Sequence, residues 1–537
     1  MSAFKARHES IQRGKQIMKY AKLIQLSLAL LILSVPGWAQ TALLVSSSSS
    51  SSSSAASSSS SVPAAPSPLA VAGSSFKFTV NWRGRAEAWD WFSTPATDGH
   101  YGFGASLLRI GIGQDLRNLE WQVELAQPSL MNLPEHAVAP APQGQLGLGP
   151  TYYVANGKEQ NVAWIFPKQA YIRFKWTLGN DHPTSLKLGR MEFIEGTEHM
   201  PKDDTLATLK RERLAARLIG NFGFSHVQRS FDAAQFVFDT KNSNTTFFAG
   251  RPTQGVFDTD GLRELNVDVL YGSHTHSFGG KKAPGEFRGF VLYYDDLRHA
   301  LKTDNRSAVA RTADKQNIQI TTVGGHVLDT VPTSAGTVDF LVWGAVQTGD
   351  WGTLTQRAEA VSLEAGYQPK WPLLKPWLRV GHFYSSGDSN PADGRHETFF
   401  QVLPTPRGYA RFPFYNLMNN TDDFVQLWVR PHPRIAFRTE FHNLRLSDSH
   451  DLWYLGGGAF QQGTFGYTGR PSNNHHALAN VVDLSADYKI SKDWSVTAYA
   501  AHAQGQSVIS RLFPAHDNAN LYYLELNWKT SVGIGGK

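Results

Sequence analysis

The segment Phe76-Lys77-Phe78-Thr79-Val80-Asn81-Trp82-Arg83-Gly84-Arg85-Ala86-Glu87-Ala88 alternates without a break between apolar or small residues at even positions and polar or charged residues at odd ones. Alternate side chains of a β-strand point to opposite faces, so one face of this strand is greasy and the other carries Lys77, Arg83, Arg85 and Glu87. A soluble sandwich could put the charged face in water. A membrane barrel would turn the greasy face to lipid and the charged face to a lumen. Recurrence of the pattern downstream, behind an export signal, favours the barrel. Ala170, Ile172, Phe174 and Trp176 alternate with Tyr171, Arg173 and Lys175; Leu265, Val267, Val269 and Tyr271 with Asn266, Asp268 and Leu270. Ile435, Phe437 and Phe441 oppose Arg438, Glu440 and His442, and Val482, Leu484 and Tyr488 oppose Asp483, Ser485 and Asp487. Near the end Tyr522, Leu524, Leu526 and Trp528 oppose Tyr523, Glu525, Asn527 and Lys529.

The N-terminal residues supply an export route. Lys5, Arg7, Arg13, Lys15, Lys19 and Lys22 precede an apolar run from Leu23 to Val35 and then Pro36-Gly37-Trp38-Ala39-Gln40. The run is about 13 residues, short of the roughly 20 needed to cross a bilayer, so residues 1–39 are expected to be a signal peptide cut after Ala39. Residues 40–75, dominated by serine over 46–61 and followed by prolines, are expected to be a disordered periplasmic linker, because they carry too little apolar surface to offset ordering entropy. The third unit is 76–537.

Charge follows the same division. The chain has 51 Lys and Arg against 45 Asp and Glu, a net +6, but losing residues 1–39 leaves 45 basic and 44 acidic residues, a net +1. The basic excess therefore gives no support for nucleic-acid binding. The absence of cysteine removes disulfides, thiolate metal sites and thiol nucleophiles from consideration.

The expected fold is all-β: one transmembrane antiparallel barrel with long extracellular or lumen-folded loops. Roughly 460 residues at about 25 per strand and loop give about 18 strands, and 16 to 18 strands enclose an aqueous channel. Trp82, Trp89, Trp91, Trp164, Trp176, Trp377, Trp494 and Trp528 are candidates for the interfacial girdles. Segments 127–160, 384–423 and 448–480 are too long for tight turns and belong outside the cell or inside the lumen. Segment 204–219 has some helical character, although Arg211, Arg213 and Arg217 also fit strand alternation.

Five motifs follow one another along the chain: Leu188-Gly189-Arg190-Met191-Glu192-Phe193-Ile194-Glu195-Gly196; Arg217-Leu218-Ile219-Gly220 with His226-Val227-Gln228-Arg229-Ser230-Phe231-Asp232; Ser385-Ser386-Gly387-Asp388; Tyr415-Asn416-Leu417-Met418-Asn419; and Trp453-Tyr454-Leu455-Gly456-Gly457-Gly458-Ala459 through Phe465-Gly466-Tyr467. In this order they resemble the alginate export family of outer-membrane proteins. The resemblance implies an 18-stranded barrel in the outer membrane of a Gram-negative-type bacterium, its lumen constricted and lined by Arg and Lys. Its implied cargo is an anionic polysaccharide, and its implied partners are outer-membrane lipid and periplasmic secretion proteins.

On the family's motifs the matching candidates are Arg190, Arg217 and Arg229; Arg83, Arg85, Arg173, Lys175 and Lys187 follow from alternation alone. Arg suits the role because its planar fork holds a carboxylate in two parallel hydrogen bonds. Arg190 needs a repair: the phase of Leu186 and Leu188 would turn it to lipid, and a β-bulge at Gly189 would turn it inward. Glu87, Glu192, Glu195, Asp232 and Asp268 are further candidates for the lumen and would make a mixed field. No enzyme, cofactor or metal is expected: His274-Thr275-His276 and His475-His476 read as loops, the Asp388 to Asp393 stretch departs from EF-hand spacing, and no nucleophile or phosphate-loop motif occurs. Two alternatives remain: a general or substrate-specific porin for anionic or sugar solutes, and a secreted soluble glycan-binding β-protein.

Overall fold

A computed structural model describes residues 76–534 except 180, 281–282, 407–409 and 414–415. The expected signal peptide and linker lie outside the described residues. In chain order the strands are β1 (Phe76–Asp90), β2 (His100–Asp115), β3 (Leu119–Met131), β4 (Val162–Ala163), β5 (Phe166–Leu178), β6 (His182–Met191), β7 (Phe231–Asp239) and β8 (Ser243–Pro252). There follow β9 (Val267–Phe278), β10 (Gly285–Asp296), β11 (Ile318–Pro332), β12 (Gly336–Trp351), β13 (Leu354–Pro369), β14 (Trp377–Ser385), β15 (Arg395–His396) and β16 (Thr421–His432). The chain ends with β17 (Ile435–Arg445), β18 (Leu452–Gly456), β19 (Tyr467–Pro471), β20 (Ala477–Lys489), β21 (Trp494–Gly505) and β22 (Asn518–Ile534).

Leaving aside the two-residue β4 and β15 and the separate β18–β19 hairpin, 18 antiparallel strands form one closed wall. Closure is made by β22 returning to β1, with Phe76 opposite Ile534 and Asp90 opposite Asn520. A closed ladder satisfies every backbone group of the wall internally, which is the condition for strands to cross hydrocarbon. Short turns join strands at the end where Phe76 lies, and the long connections gather at the other. By the usual orientation of such barrels, the first end is periplasmic and the second extracellular.

The alternation read from the sequence maps onto the two faces of this wall. Phe78, Ile110, Phe174, Val346, Phe441, Leu484 and Leu524 are exposed on the outside, while Arg83, Arg85, Arg109, Arg438 and Glu440 are buried on the inside. A continuous outward apolar band is incompatible with a soluble glycan-binding protein, so that alternative falls. Trp82, Trp494 and Trp528 meet on the outer face, the last two stacked with centroids 5.8 Å apart, and Trp164 and Trp176 are also exposed. Trp89, Trp91 and Trp377 are corrections to the expected girdle. Trp89 lies on the inward row of β1 beside Glu87, to which its Nε1 donates at 3.0 Å; Trp91 stacks on Phe412 at 5.6 Å; and Trp377 donates to Asp339 at 2.9 Å.

The apolar core lies inside the barrel. Val267, Val269 and Tyr271 of β9 face inward and pack there, so on this strand the greasy row is the luminal one and Leu270 and Asp268 look outward. The reason is the content of the lumen. Segment 192–230 folds into it as an α-helix, Asp204–Leu209, capped by the Asp203 carboxylate on the Leu206 amide at 2.9 Å, running into one π-helical turn, Lys210–Leu214. Residues of the 386–420 connection and the β18–β19 hairpin pack against it. The helical reading of 204–219 thus holds over its first eleven residues.

Candidate functional site

The wall delivers charges inward at alternate positions, and the segment that fills the lumen meets them with charges of its own. On one side Arg85 bridges Glu525 at 2.5 Å and Glu87 at 3.1 Å, with its guanidinium over the Phe224 ring at 3.9 Å. Its neighbour Arg83 donates to the Gly223 carbonyl at 2.6 Å and to that of Ser225. Arg109 holds Glu124 at 2.6 Å and Glu192 at 3.0 Å, and Lys168 stands 3.5 Å from Glu192. Burial alone would raise the Glu192 carboxyl, but Arg109 and Lys168 pull its pKa down to about 2. His226, buried beside Arg83 and Arg85, is pushed well below its usual value and stays neutral.

Elsewhere around the wall the filling segment offers both signs of charge. Lys210 of the filling segment pairs with Glu286 of β10 at 2.6 Å, and Arg213 with Glu364 of β13 at 2.9 Å. Arg379 reaches the same Glu364 at 3.4 Å and also binds Asp339. In return Glu195 and Glu198 accept from Arg288 of β10 at 2.8 and 2.9 Å, and Glu212 from Arg438 of β17 at 3.2 Å. Burial raises Glu195 and lowers Lys210, against the pull of their partners, and pairing is what keeps charges in such a place.

Backbone and side-chain bonds tie the inward pieces to each other. The Leu403 amide donates to Leu218, the Gly220 amide to Leu403 and the Thr405 amide to Ala216, each at 2.8 Å, making a short parallel ladder in the middle of the lumen. Arg229 donates to the carbonyls of Gly457 at 2.6 Å and Ala459 at 3.2 Å, and its own carbonyl accepts from Lys168 at 2.7 Å. Arg217 lies over Trp343 at 4.6 Å, donates to the Arg213 carbonyl at 2.7 Å and stands 3.9 Å from Glu364. Motifs far apart in sequence, around 217–220, 226–232, 401–405 and 453–467, are therefore one knot of contacts.

The eight candidate residues fall into three groups. Arg83, Arg85, Arg217 and Arg229 are buried inside the barrel, the last two on the inward segment rather than on the wall. Arg173 and Lys175 open towards the periplasmic half of the lumen, with side chains 31% and 28% exposed, paired with Glu120 at 2.8 Å and with Asp115; Lys187 sits nearby, 3.8 Å above the Tyr171 ring. Arg190 stands apart. Pairing runs through Gly189 without a shift on both neighbours, so Arg190 keeps the outward phase of Leu186 and Leu188 and binds Asp232 of β7 at 2.6 Å, near the extracellular rim. The expected bulge at Gly189 is not there; a register shift lies one strand away, where Lys168 of β5 is the extra residue and points inward. Asp232 and Asp268 share the outward face, the latter paired with Arg251 at 2.6 Å, whereas Glu87, Glu192 and Glu195 lie inside.

Other expectations resolve as follows. His274 and His276 belong to β9, not to a turn, and bond Thr245 at 2.9 Å and Ser243 at 2.8 Å. Among the described residues no group of three or more His, Asp or Glu could hold a metal ion. Asp388 is buried beside Asp451, which accepts the Asp388 amide at 3.0 Å; burial raises their carboxyls to about 7 and about 6. Sequence reasoning missed Arg109, Arg288, Glu364 and Arg379, although each lies between outward apolar neighbours, as Leu378-Arg379-Val380 illustrates.

A closed 18-stranded wall with an apolar belt and an ionically fastened filling defines an outer-membrane channel. The chain belongs to the alginate export family, whose sequence profile matches residues 156–509. No curated protein matches it. Among solved structures it is similar in fold to OccAB1 of Acinetobacter baumannii, at 10% identity and a TM-score of 0.51 over 85% of this chain and 97% of that one. OccAB2 of the same organism is similar at 9% identity and a TM-score of 0.51 over 85% and 98%.

Proposed function

We propose that this channel carries an anionic polysaccharide of the alginate kind from the periplasm across the outer membrane. The observation behind the reading is that several guanidiniums inside the barrel are already held by carboxylates: Arg85 by Glu525, Arg109 by Glu192, Arg213 and Arg379 by Glu364. A uronate carboxylate is chemically equivalent to those side chains. A polymer entering past Arg173, Lys175 and Lys187 can compete with Glu192, Glu364 and Glu525 for their guanidinium partners one residue at a time. Several moderate contacts of this kind release as readily as they bind, which transport requires.

The competing reading is a porin for small anionic or sugar solutes, favoured by the near-neutral charge of residues 40–537 and by carboxylates such as Glu87 and Glu195 among the inward charges. Planar-bilayer recordings separate the two. In the export reading the current prefers anions, uronate oligomers block it, and neutral oligosaccharides of the same length do not; block weakens from about 0.1 to 1 M salt as the Debye length falls from about 10 to 3 Å. Changing Arg173, Lys175 and Lys187 together to Gln lowers both preference and block. Equal block by neutral and uronate oligomers supports the porin instead. Cleavage after Ala39 and a periplasmic position for 40–75 belong to the same proposal, testable by mass of the mature chain.

A further inference from the structure

The turn between β13 and β14 differs from the other short turns at the periplasmic end. It reads Lys370-Trp371-Pro372-Leu373-Leu374-Lys375-Pro376, and Trp371, Leu373 and Leu374 are 65%, 73% and 43% exposed. The turns made by Thr240, Lys241 and Asn242 and by Thr333, Ser334 and Ala335 are polar or small at the equivalent place. Exposing a Trp and two Leu at one tip costs solubility unless something covers them.

The tip is also held in position. The Lys370 amide donates to the Ala335 carbonyl at 3.0 Å and the Arg430 amide to the Leu374 carbonyl at 2.6 Å, so the neighbouring β11–β12 turn and the end of β16 grip it from both sides. Leu374 and Lys375 have φ of 67° and 40°, a left-handed conformation unfavourable for both residues, which persists only where surroundings impose it. Prolines 369, 372 and 376 stiffen the rest.

From these observations we infer that the 370–376 turn is an anchor that inserts into the phospholipid headgroup layer of the periplasmic leaflet. The apolar tip continues the outward membrane-facing row of the wall: Leu378 and Val380 of β14 and Tyr367 of β13 are exposed on that face, and Leu374 lies within about 14 Å of extended chain from Leu378. Its composition matches that layer. Trp is amphipathic and collects at the interface, and the exposed Lys370 and Lys375 bracket the apolar residues with ammonium groups that phosphates attract.

The absence of cysteine makes the test clean. Leu373→Cys and, as control, Lys241→Cys are labelled with an environment-sensitive fluorophore, and the full channel is reconstituted in vesicles of phosphatidylethanolamine and phosphatidylglycerol with no other protein. Insertion is expected to give at least twofold stronger quenching at 373 than at 241 by lipids with the quencher near the headgroup, and at least twofold weaker quenching by aqueous iodide. Lys370→Glu with Lys375→Glu in the labelled chain should remove at least half of that difference. Iodide quenching at 373 equal to that at 241 overturns the inference.

Discussion

The wall of the barrel and the segment that fills it are built from the same residue types used in opposite ways. In β1 and β22 each inward charge, such as Arg85 or Glu525, sits on a strand whose backbone is fully laddered to its neighbours. In segment 192–230 the backbone is bonded in short stretches, 216–220 to 403–405 and 228–230 to 253–256, and side chains make the further ties: Lys210, Arg213, Glu195, Glu198 and Glu212 reach out to the wall, and Arg229 reaches the β18–β19 hairpin. The wall owes its shape to hydrogen bonds that no solute competes for. The filling is held by apolar packing, a few backbone bonds and ion pairs to the wall, and the ion pairs are the contacts that the proposed anionic cargo would compete for.

The largest expected effect breaks that distinction at Glu364. Glu364→Ala leaves Arg213 and Arg379 without their shared carboxylate, and removing one partner of a buried pair typically costs about 3–5 kcal/mol. The loss should fall on the filling, as longer openings in bilayer recordings and faster tryptic cleavage at Arg211 or Arg213, while the barrel still migrates as a folded species on unheated gels. Loss of the folded band would place the two regions in one cooperative unit.

The wall is tested at Val80 and Asn81. Arg at position 80 should cost about 2–4 kcal/mol near the bilayer midplane, whereas Asn81→Arg, on the inward row, should fold nearly as the parent does. Equal tolerance in a refolding assay would overturn the facing assignment.

How much of this was legible follows from the same contrast. Alternation locates the wall, because lipid on one side and protein or water on the other force a period of two; strand count and facing of β1, β17, β20 and β22 follow directly. The filling has no such signal. Both faces of segment 192–230 are buried, its polar groups meet counter-ions rather than water, and so Arg211, Arg213 and Arg217 fit a strand as well as a helix. Trp89 was readable: it shares parity with Arg83, Arg85 and Glu87. Arg190 was readable too, since its outward phase needed no bulge once Asp232 on the next strand could hold it.

Two smaller effects sharpen the comparison. Asp388 and Asp451 sit in the extracellular connections with carboxyls raised to about 7 and about 6 from ordinary values near 4. A raised carboxyl pKa means the folded state binds the proton better, so this cluster is firmest below pH 4 and loses stability as pH rises to about 7. Asp388→Asn should flatten that profile in hydrogen exchange of residues 386–394; an unchanged profile would assign it elsewhere. Smallest of all, Arg190→Gln removes a rim pair worth about 0–1 kcal/mol and should leave ion preference untouched. A change in preference there would return Arg190 to the lumen.

On the proposed route a carboxylate polymer passes by competing with the carboxylates that pair with the filling. Efflux from proteoliposomes loaded with uronate polymer and a neutral polymer of equal length measures it directly. The account predicts efflux of the uronate polymer alone, accelerated by Glu364→Gln, which weakens the pairing without emptying the site. Equal efflux of both polymers, or passage of small anions with neither polymer, would contradict it.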